Sequence, residues 1–334
     1  MEFVTIPGTE LAVSRIALGT WAIGGWMWGG TDEATSIRTI HAALDQGLNF
    51  VDTAPVYGFG RSEEIVGKAL KESSAARDEV VISTKVALEW TEEGRVYRNA
   101  TRARINQEVE DSLRRLQTDS IDLYYVHWPD PLVPFAETAD ALNELLADGK
   151  IRAIGVSNFS PEQMDAFREG APLNASQPPY NIFEREIESD VKPYCRNNQI
   201  ALMTYGALCR GLLSGKMSRD REFTGDDLRQ YDPKFQGARF GQYLAATDRI
   251  ATLARERYDK DLLPFAVRWV LDQGVEIALW GGRRPDQMDP VSEVFGWSID
   301  DDAMAEVDRI LADTITDPVG PEFMAPPTRE KKDG

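Results

Sequence analysis

NFVDTAPVYGFGRSE, residues 49–63, passes from a short apolar run into a loop punctuated by Gly58 and Gly60. Asp52 stands where the apolar run stops, and Tyr57 follows between Val56 and Gly58. The run reads as the end of a buried β-strand, because it is hydrophobic on both faces, as a parallel strand covered by helices must be. What a carboxylate does at such a strand end depends on what the rest of the chain repeats.

The same unit recurs from end to end. RIALG (15–19), NFVD (49–52), EVVIST (79–84), DLYYV (122–126), RAIGVS (152–157), ASQ (175–177), IALMT (200–204) and EIALW (276–280) are eight candidate strands. Between them lie stripes at helical spacing: Ile37, Ile40, Leu44 and Leu48; Ile105, Val109, Leu113 and Leu116; Phe135, Ala139, Leu142 and Leu146. About eight strand–helix repeats predict an α/β fold, a closed (β/α)8 TIM barrel, with a doubly wound open sheet as the alternative. No linker interrupts the pattern, so residues 1–334 read as one domain. TIPGTELAVS near the start reads as a β-hairpin capping the barrel bottom. The third stretch from the end of the strand series, ASQPPYN, is the weakest, because its two prolines suit a strand end better than a middle. A long connection after the seventh strand, roughly 206–243, exceeds ordinary loop length and reads as functional. TDPVGPEFMAPPTREKKDG (316–334) reads as an irregular C-terminal arm over the barrel mouth with a frayed, charged end.

Composition narrows the function. A formal charge of −18 argues against nucleic-acid or anionic-membrane partners, which need a basic face. The N-terminus lacks a signal-peptide pattern, and no apolar run approaches the ~20 residues that span a bilayer. Cys195 and Cys209 form no metal or redox spacing, which fits a reducing, cytoplasmic setting. His41 and His127 are the only histidines, so no metal site is expected. His41 lies beside the Ile37–Ile40–Leu44 stripe and reads as structural.

Barrel chemistry sits at the C-terminal strand ends. Those ends carry Gly19-Thr20-Trp21, Asp52, Lys85, His127, Ser157-Asn158, Gln177, Tyr205 and Gly281-Gly282-Arg283. Singly, each has an ordinary reading: Asp52 caps a turn, Tyr57 packs, Lys85 snorkels and His127 is a satisfied core histidine. Jointly, a carboxylate and an ammonium on neighbouring buried strands must pair, since an isolated buried charge is prohibitive. A nearby lysine charge is expected to lower the pKa of a tyrosine from its usual value of about 10, with Asp52 holding the lysine in place. Tyr57 then becomes a proton donor, and His127 a hydrogen-bonding group for the same oxygen. Such a set needs an external source of electrons.

Three stretches suit a nicotinamide dinucleotide. VSNF (156–159) and Gln177 offer amides for a carboxamide, and Tyr205 offers either a stacking face or plain packing. GALCRGLLSGK (206–216), with Gly206, Leu208, Arg210, Gly211 and Leu213, is a glycine-punctuated loop that a pyrophosphate can approach. WGGRRPDQM (280–288), with Gly281, Gly282, Arg283, Arg284 and Gln287, reads as a phosphate site opening a helix. A strand-linked GxGxxG is missing, so a Rossmann site is not supported. GGWMWGG (24–30) reads as substrate wall, and Trp21, Trp26, Trp28, Trp128 and Phe240 are the expected pocket residues, with Arg239 or the arm as a polar anchor.

NFVDTAPVYGFGRSEEIVGKAL (49–70), STK (83–85), IDLYYVHWPD (121–130), GKIRAIGVSNFS (149–160) and GGRRPDQM (281–288) resemble the motifs of the aldo-keto reductases over essentially the whole chain. The resemblance implies a catalytic tetrad of Asp52, Tyr57, Lys85 and His127. It implies nicotinamide-amide ligands at Ser157, Asn158 and Gln177, a stacking Tyr205, and Arg283 with Gln287 at the adenosine 2′-phosphate. DPVGPEFMAPPTRE is similar to the tail of the bacterial general stress protein-like branch, which implies NADPH as preferred cofactor, with NADH as the alternative, and broad activity on aldehydes and sugar-like carbonyls. Trp280 stands where many relatives have proline. The expected function is reduction of a small-molecule aldehyde or ketone by an enzyme whose oligomeric state, monomer or homo-oligomer, the sequence leaves open. The rival is a nucleotide-binding redox-sensor subunit of the kind found among potassium-channel β-subunits.

Overall fold

The structure, a computed structural model, describes residues 1–329; the charged end at 330–334 lies outside the described residues. Two short strands, β1 (Phe3–Thr5) and β2 (Ala12–Ser14), form the expected antiparallel hairpin. The chain then lays down β3 (Ile16–Gly19), β4 (Phe50–Asp52) and β5 (Val81–Val86). A second hairpin, β6 (Leu88–Trp90) and β7 (Val96–Arg98), interrupts the repeat, and the sequence reading missed it. The barrel resumes with β8 (Leu123–Val126), β9 (Ile154–Ser157), β10 (Ala175–Gln177), β11 (Ala201–Thr204) and β12 (Ile277–Gly281).

Every barrel neighbour is parallel, and β12 pairs with β3 to close the ring. All eight strands read from the sequence are therefore present, including ASQ. Its prolines do no harm because β10 ends at Gln177, before Pro178. The three helical stripes fall on helices, Glu33–Asp45, Arg102–Leu116 and Phe135–Ala147, except for Leu48, which lies past the end of the first. Ile40, Val109 and Leu142 pack them onto the outer barrel face, each buried side chain contributing roughly 1.5–3 kcal/mol of transfer free energy.

Inside the ring, Phe50, Leu123, Tyr125, Met203 and Ile277 fill the barrel together with Ile6, Leu11 and Val13 of the N-terminal hairpin. Tyr125 can cross the interior only because residue 155 is glycine: a Cβ there would stand 2.3 Å from its ring. The hairpin plugs the N-terminal ends of the strands. Asn49, just before β4, accepts from the Ser14 amide at 2.7 Å, and Asn174, just before β10, donates to the Pro7 carbonyl at 3.0 Å. With that end closed by apolar packing, the C-terminal ends are left for chemistry.

The long connection after β11 is shorter than expected, because a helix already begins at Gly237 (Gly237–Tyr258). Its loop part is pinned from beneath by a fully buried charge cluster. Arg210 pairs with Glu184 and Asp232, and Lys234 pairs with Glu184 at 2.8 Å while donating to the Gly320 carbonyl at 3.1 Å. Among the described residues, no helix is long and apolar enough to cross a membrane.

Candidate active site

At the C-terminal rim, β4 and β5 place Asp52 and Lys85 side by side, 1% and 0% exposed. The Lys85 Nζ donates to Asp52 Oδ2 at 2.7 Å and to the Thr53 carbonyl at 2.9 Å. Asp52 Oδ1 accepts from Ser83 Oγ at 2.6 Å and from Gln177 Nε2 at 3.0 Å. The pair is thus desolvated but each charge is paired and hydrogen-bonded, the condition under which buried charges are tolerated. Ser83 escaped the sequence reading, although it lies two residues before Lys85 and so shares its inward face.

The loop after β4 folds back to hang Tyr57 over this pair, with the Lys85 Nζ 5.1 Å from the centre of its ring. Gly58 makes the fold-back possible. It has φ +70°, and a Cβ on it would meet the Gly24 carbonyl oxygen at 2.2 Å. Val56 is a packing residue, buried with Ala54 and Leu88. Trp21 stacks on Tyr57 (5.8 Å, 18°), and His127 meets its ring edge-on (5.7 Å, 83°). Asp52, Tyr57, Lys85 and His127, from three separate stretches of the sequence, are therefore brought together.

The electrostatics differ from the expectation in one respect. Burial pushes the Tyr57 phenol well above its ordinary value, and the Asp52 charge and Tyr205 add to the effect. The anticipated lowering by lysine fails because burial, with the Asp52 charge added, outweighs it. Burial also lowers the Lys85 pKa, opposed by the charge and hydrogen bond of Asp52 and by Glu63. His127 is held well below the usual histidine range by burial and by the Lys85 charge. Near neutral pH the cluster therefore presents a protonated phenol and a neutral imidazole.

These groups floor a cavity of about 1130 Å³, larger than the ~300–1,000 Å³ typical of a single small ligand. Gly19, Thr20, Trp21, Ser157, Asn158, Gln177, Tyr205, Gly206, Leu208, Arg210, Gly211, Gly281, Gly282, Arg283, Arg284 and Gln287 all line it, as do Trp26, Trp28 and Trp128. Three expected residues do not reach it. Leu213 is wholly buried in the core, and Phe240, on the helix rather than in a loop, packs on Phe235 (5.5 Å). Arg239 is paired with Asp317 and likewise stays outside. Arg210 lines the cavity, but its guanidinium belongs to Glu184 and Asp232. The expected helix after β12 is instead a three-residue 3-10 turn, Pro285–Gln287. Its weak dipole leaves anion attraction to the arginines. There Gln287 Oε1 accepts from the amides of Arg283 and Arg284 at 2.7 and 3.0 Å.

Loops roof the cavity. Asp226 accepts from the Met27 and Gly29 amides at 2.8 and 3.1 Å, and Arg283 donates to the carbonyls of Trp28 and Gly30. The C-terminal arm does lie over the mouth, contributing Phe323, Met324, Pro326 and Pro327 to the lining. It is stitched to β7: the Arg98 amide donates to Pro327 O at 3.0 Å and its Nε to Pro326 O at 2.8 Å. No local sequence signal announces that pairing. Arg98→Ala is expected to quicken proteolysis within residues 318–329 and to raise the aldehyde KM about fivefold, in line with losing hydrogen bonds from a charged donor.

The donor set fits a nicotinamide carboxamide. Asn158 is already committed through Nδ2 to His127 O (3.0 Å) and Ser157 Oγ (2.9 Å), while its Oδ1 accepts from Tyr205 (2.9 Å). Gln177, 1% exposed, reaches Asp52 with Nε2 at 3.0 Å and lines the cavity. Side-chain amides at this corner carry both donors and acceptors, the complement of a carboxamide.

Residues 15–312 match the model of the Aldo/keto reductase family. The chain is 60% identical over 332 residues to Aldo-keto reductase YhdN of Bacillus subtilis, covering 99% of this chain and 100% of that protein. It is 36% identical over 303 residues to the NADH-specific methylglyoxal reductase of Escherichia coli, covering 86% of this chain and 91% of that one. Among solved structures, the glycerol dehydrogenase AKR11B4 from Gluconobacter oxydans is similar, with a TM-score of 0.88 and 55% identity over 97% of this chain and 99% of that chain.

Proposed function

This chain belongs to the aldo/keto reductase family, and from its site we propose a single-domain, cytoplasmic carbonyl reductase in which Tyr57 is the general acid. The observation that carries this reading is the buried Lys85–Asp52 pair beneath a protonated phenol at the floor of an open cavity. Bound reduced nicotinamide dinucleotide supplies a hydride. Tyr57 delivers the proton to the carbonyl oxygen as negative charge develops there, and neutral His127 hydrogen-bonds the same oxygen. Lys85 keeps positive charge below the phenol, which favours proton release at that moment and not before. Thr20, Trp21, Ser157, Asn158 and Gln177 would hold the nicotinamide end, with Tyr205 as its stacking face. Gly206, Leu208 and Gly211 would meet the pyrophosphate, and Gly281, Gly282, Arg283, Arg284 and Gln287 the adenosine end. NADPH preference rests on Arg283 and Arg284 as 2′-phosphate partners; the Escherichia coli relative is NADH-specific, and NADH is the alternative cofactor.

Charge is distributed unevenly around the cavity. Arg210, Lys216, Arg221, Arg229, Arg283 and Arg284 all follow β11 or β12, whereas the opposite wall is Trp26, Leu88, Val96, Trp128, Phe323 and Met324. Arg98 behind Trp128 is spent on Pro129 and Pro326 carbonyls. The substrate end therefore suits a neutral carbonyl with an apolar or aromatic body. Benzaldehyde is expected to exceed 4-carboxybenzaldehyde in kcat/KM by about tenfold or more, because a carboxylate there would be buried without a partner. Equal values in steady-state assays would remove the neutral-substrate reading. No turnover of either aldehyde with NADPH or NADH would remove the reductase reading itself.

A further inference from the structure

Tyr57 is presented by a loop whose next three residues, Gly58, Phe59 and Gly60, all have positive φ, at +70°, +56° and +98°. The glycines adopt that backbone freely, whereas phenylalanine is disfavoured there by its Cβ. Phe59 is also 37% exposed, so burial does not account for its presence. Its ring instead bridges two walls, 5.0 Å from Trp26 and 5.5 Å from Trp90, tilted 48° to each, a favoured spacing for aromatic pairs. Trp26 lines the cavity from the segment after β3, and Trp90 ends β6 of the hairpin beside it. Both indoles pack with Tyr57 around Ala54, Val56 and Leu88. Trp90 is braced in turn by the Arg104 guanidinium, 5.5 Å from its ring. The loop closes on itself, Gly60 donating to the Pro55 carbonyl at 2.6 Å, so a shift of Phe59 carries Tyr57 with it. Phe59 does not line the cavity, and it can reach the reaction only through these neighbours.

We propose that Phe59 is a positioning residue for the reaction: wedged between Trp26 and Trp90, it fixes the spacing between the Tyr57 phenol and the aromatic wall against which the substrate rests. The inference rests on the reductase reading, in which Tyr57 gives its proton to a carbonyl. It assigns to an exposed residue outside the cavity part of the alignment that proton transfer needs. Without the wedge, Trp26 and the Tyr57 loop lose their common stop. Trp21 and His127 still hold the phenol ring, so the loss is partial and falls on the chemical step.

Phe59→Ala and Phe59→Gly separate positioning from stability. Both remove the wedge, but only glycine also relieves the unfavourable φ, so Phe59→Gly should unfold in urea at a higher midpoint than Phe59→Ala. Single-turnover oxidation of bound NADPH by saturating benzaldehyde should nevertheless slow about tenfold in both, less than the ~10²-fold that a 1 Å misplacement can cost. Phe59→Leu, which keeps an apolar wedge of similar bulk, should stay within about threefold of wild type. NADPH affinity, read by quenching of tryptophan fluorescence, should stay within about twofold in all three, since the lost interaction acts on the transition state. A Phe59→Gly rate equal to wild type, or rates that simply follow the urea midpoints, would overturn the proposal. So would an NADPH affinity that falls in step with the rate. Failure of the wild-type chain to oxidise NADPH with benzaldehyde would instead overturn the reductase reading.

Discussion

Tyr57→Phe is expected to lower kcat for aldehyde reduction by about 10²–10⁴-fold, the usual contribution of a positioned general acid. The substitution removes one hydroxyl and keeps the ring that stacks on Trp21 and meets His127. Cofactor affinity should therefore change little, and the loss should sit in kcat. The pH dependence should carry the same signature. Because the phenol lies well above its ordinary value and the imidazole well below, neither changes protonation between pH ~6.5 and ~9. Wild-type kcat for reduction should be flat within about twofold over that interval, since the acid stays protonated and His127 stays neutral. A steep fall in kcat as pH rises through neutrality would show that another group donates the proton.

The second large effect concerns the buried pair. Asp52→Ala should destabilise the fold by about 3–5 kcal/mol, because Lys85 is left as an uncompensated charge with only the Thr53 carbonyl. Combining Asp52→Leu with Lys85→Met removes both charges and should restore most of that loss, while the two single effects fail to add. Activity should not return with stability. Urea titrations of the wild type, Asp52→Ala, the two single variants and the double variant, paired with NADPH-dependent aldehyde assays, separate the two roles. A double variant as unstable as Asp52→Ala would indicate that Ser83, Thr53 and Gln177, not the lysine charge, dominate the cost.

The barrel was legible because its strands are short, apolar on both faces and regularly spaced. The tetrad was legible because Asp52, Lys85 and His127 each end such a run. What escaped has identifiable causes. The β6–β7 hairpin is too short to show period-two alternation, and its partner, the arm, lies more than two hundred residues away. Phe240 was misplaced because its helix starts earlier than the Gly- and Pro-rich approach indicates. The turn after β12 kept its glycines and arginines but not its helix, since Pro285 and Pro290 leave room for only 3-10 turns. The rise in the Tyr57 pKa depends on how deeply the phenol is buried and on how close the Asp52 charge comes to it. Neither is encoded in spacing, so the residues could be named while the sign of their coupling could not.

The central claim is that Tyr57 protonates a carbonyl that receives hydride in this cavity. Single-turnover mixing of excess enzyme, reduced cofactor deuterated at the transferring carbon, and benzaldehyde tests it most directly. Benzyl alcohol labelled at the carbinol carbon is expected from the wild-type chain, forming about 10²-fold or more slowly in Tyr57→Phe at equal cofactor occupancy. Unlabelled alcohol, or labelled alcohol formed at an undiminished rate by Tyr57→Phe, would contradict it.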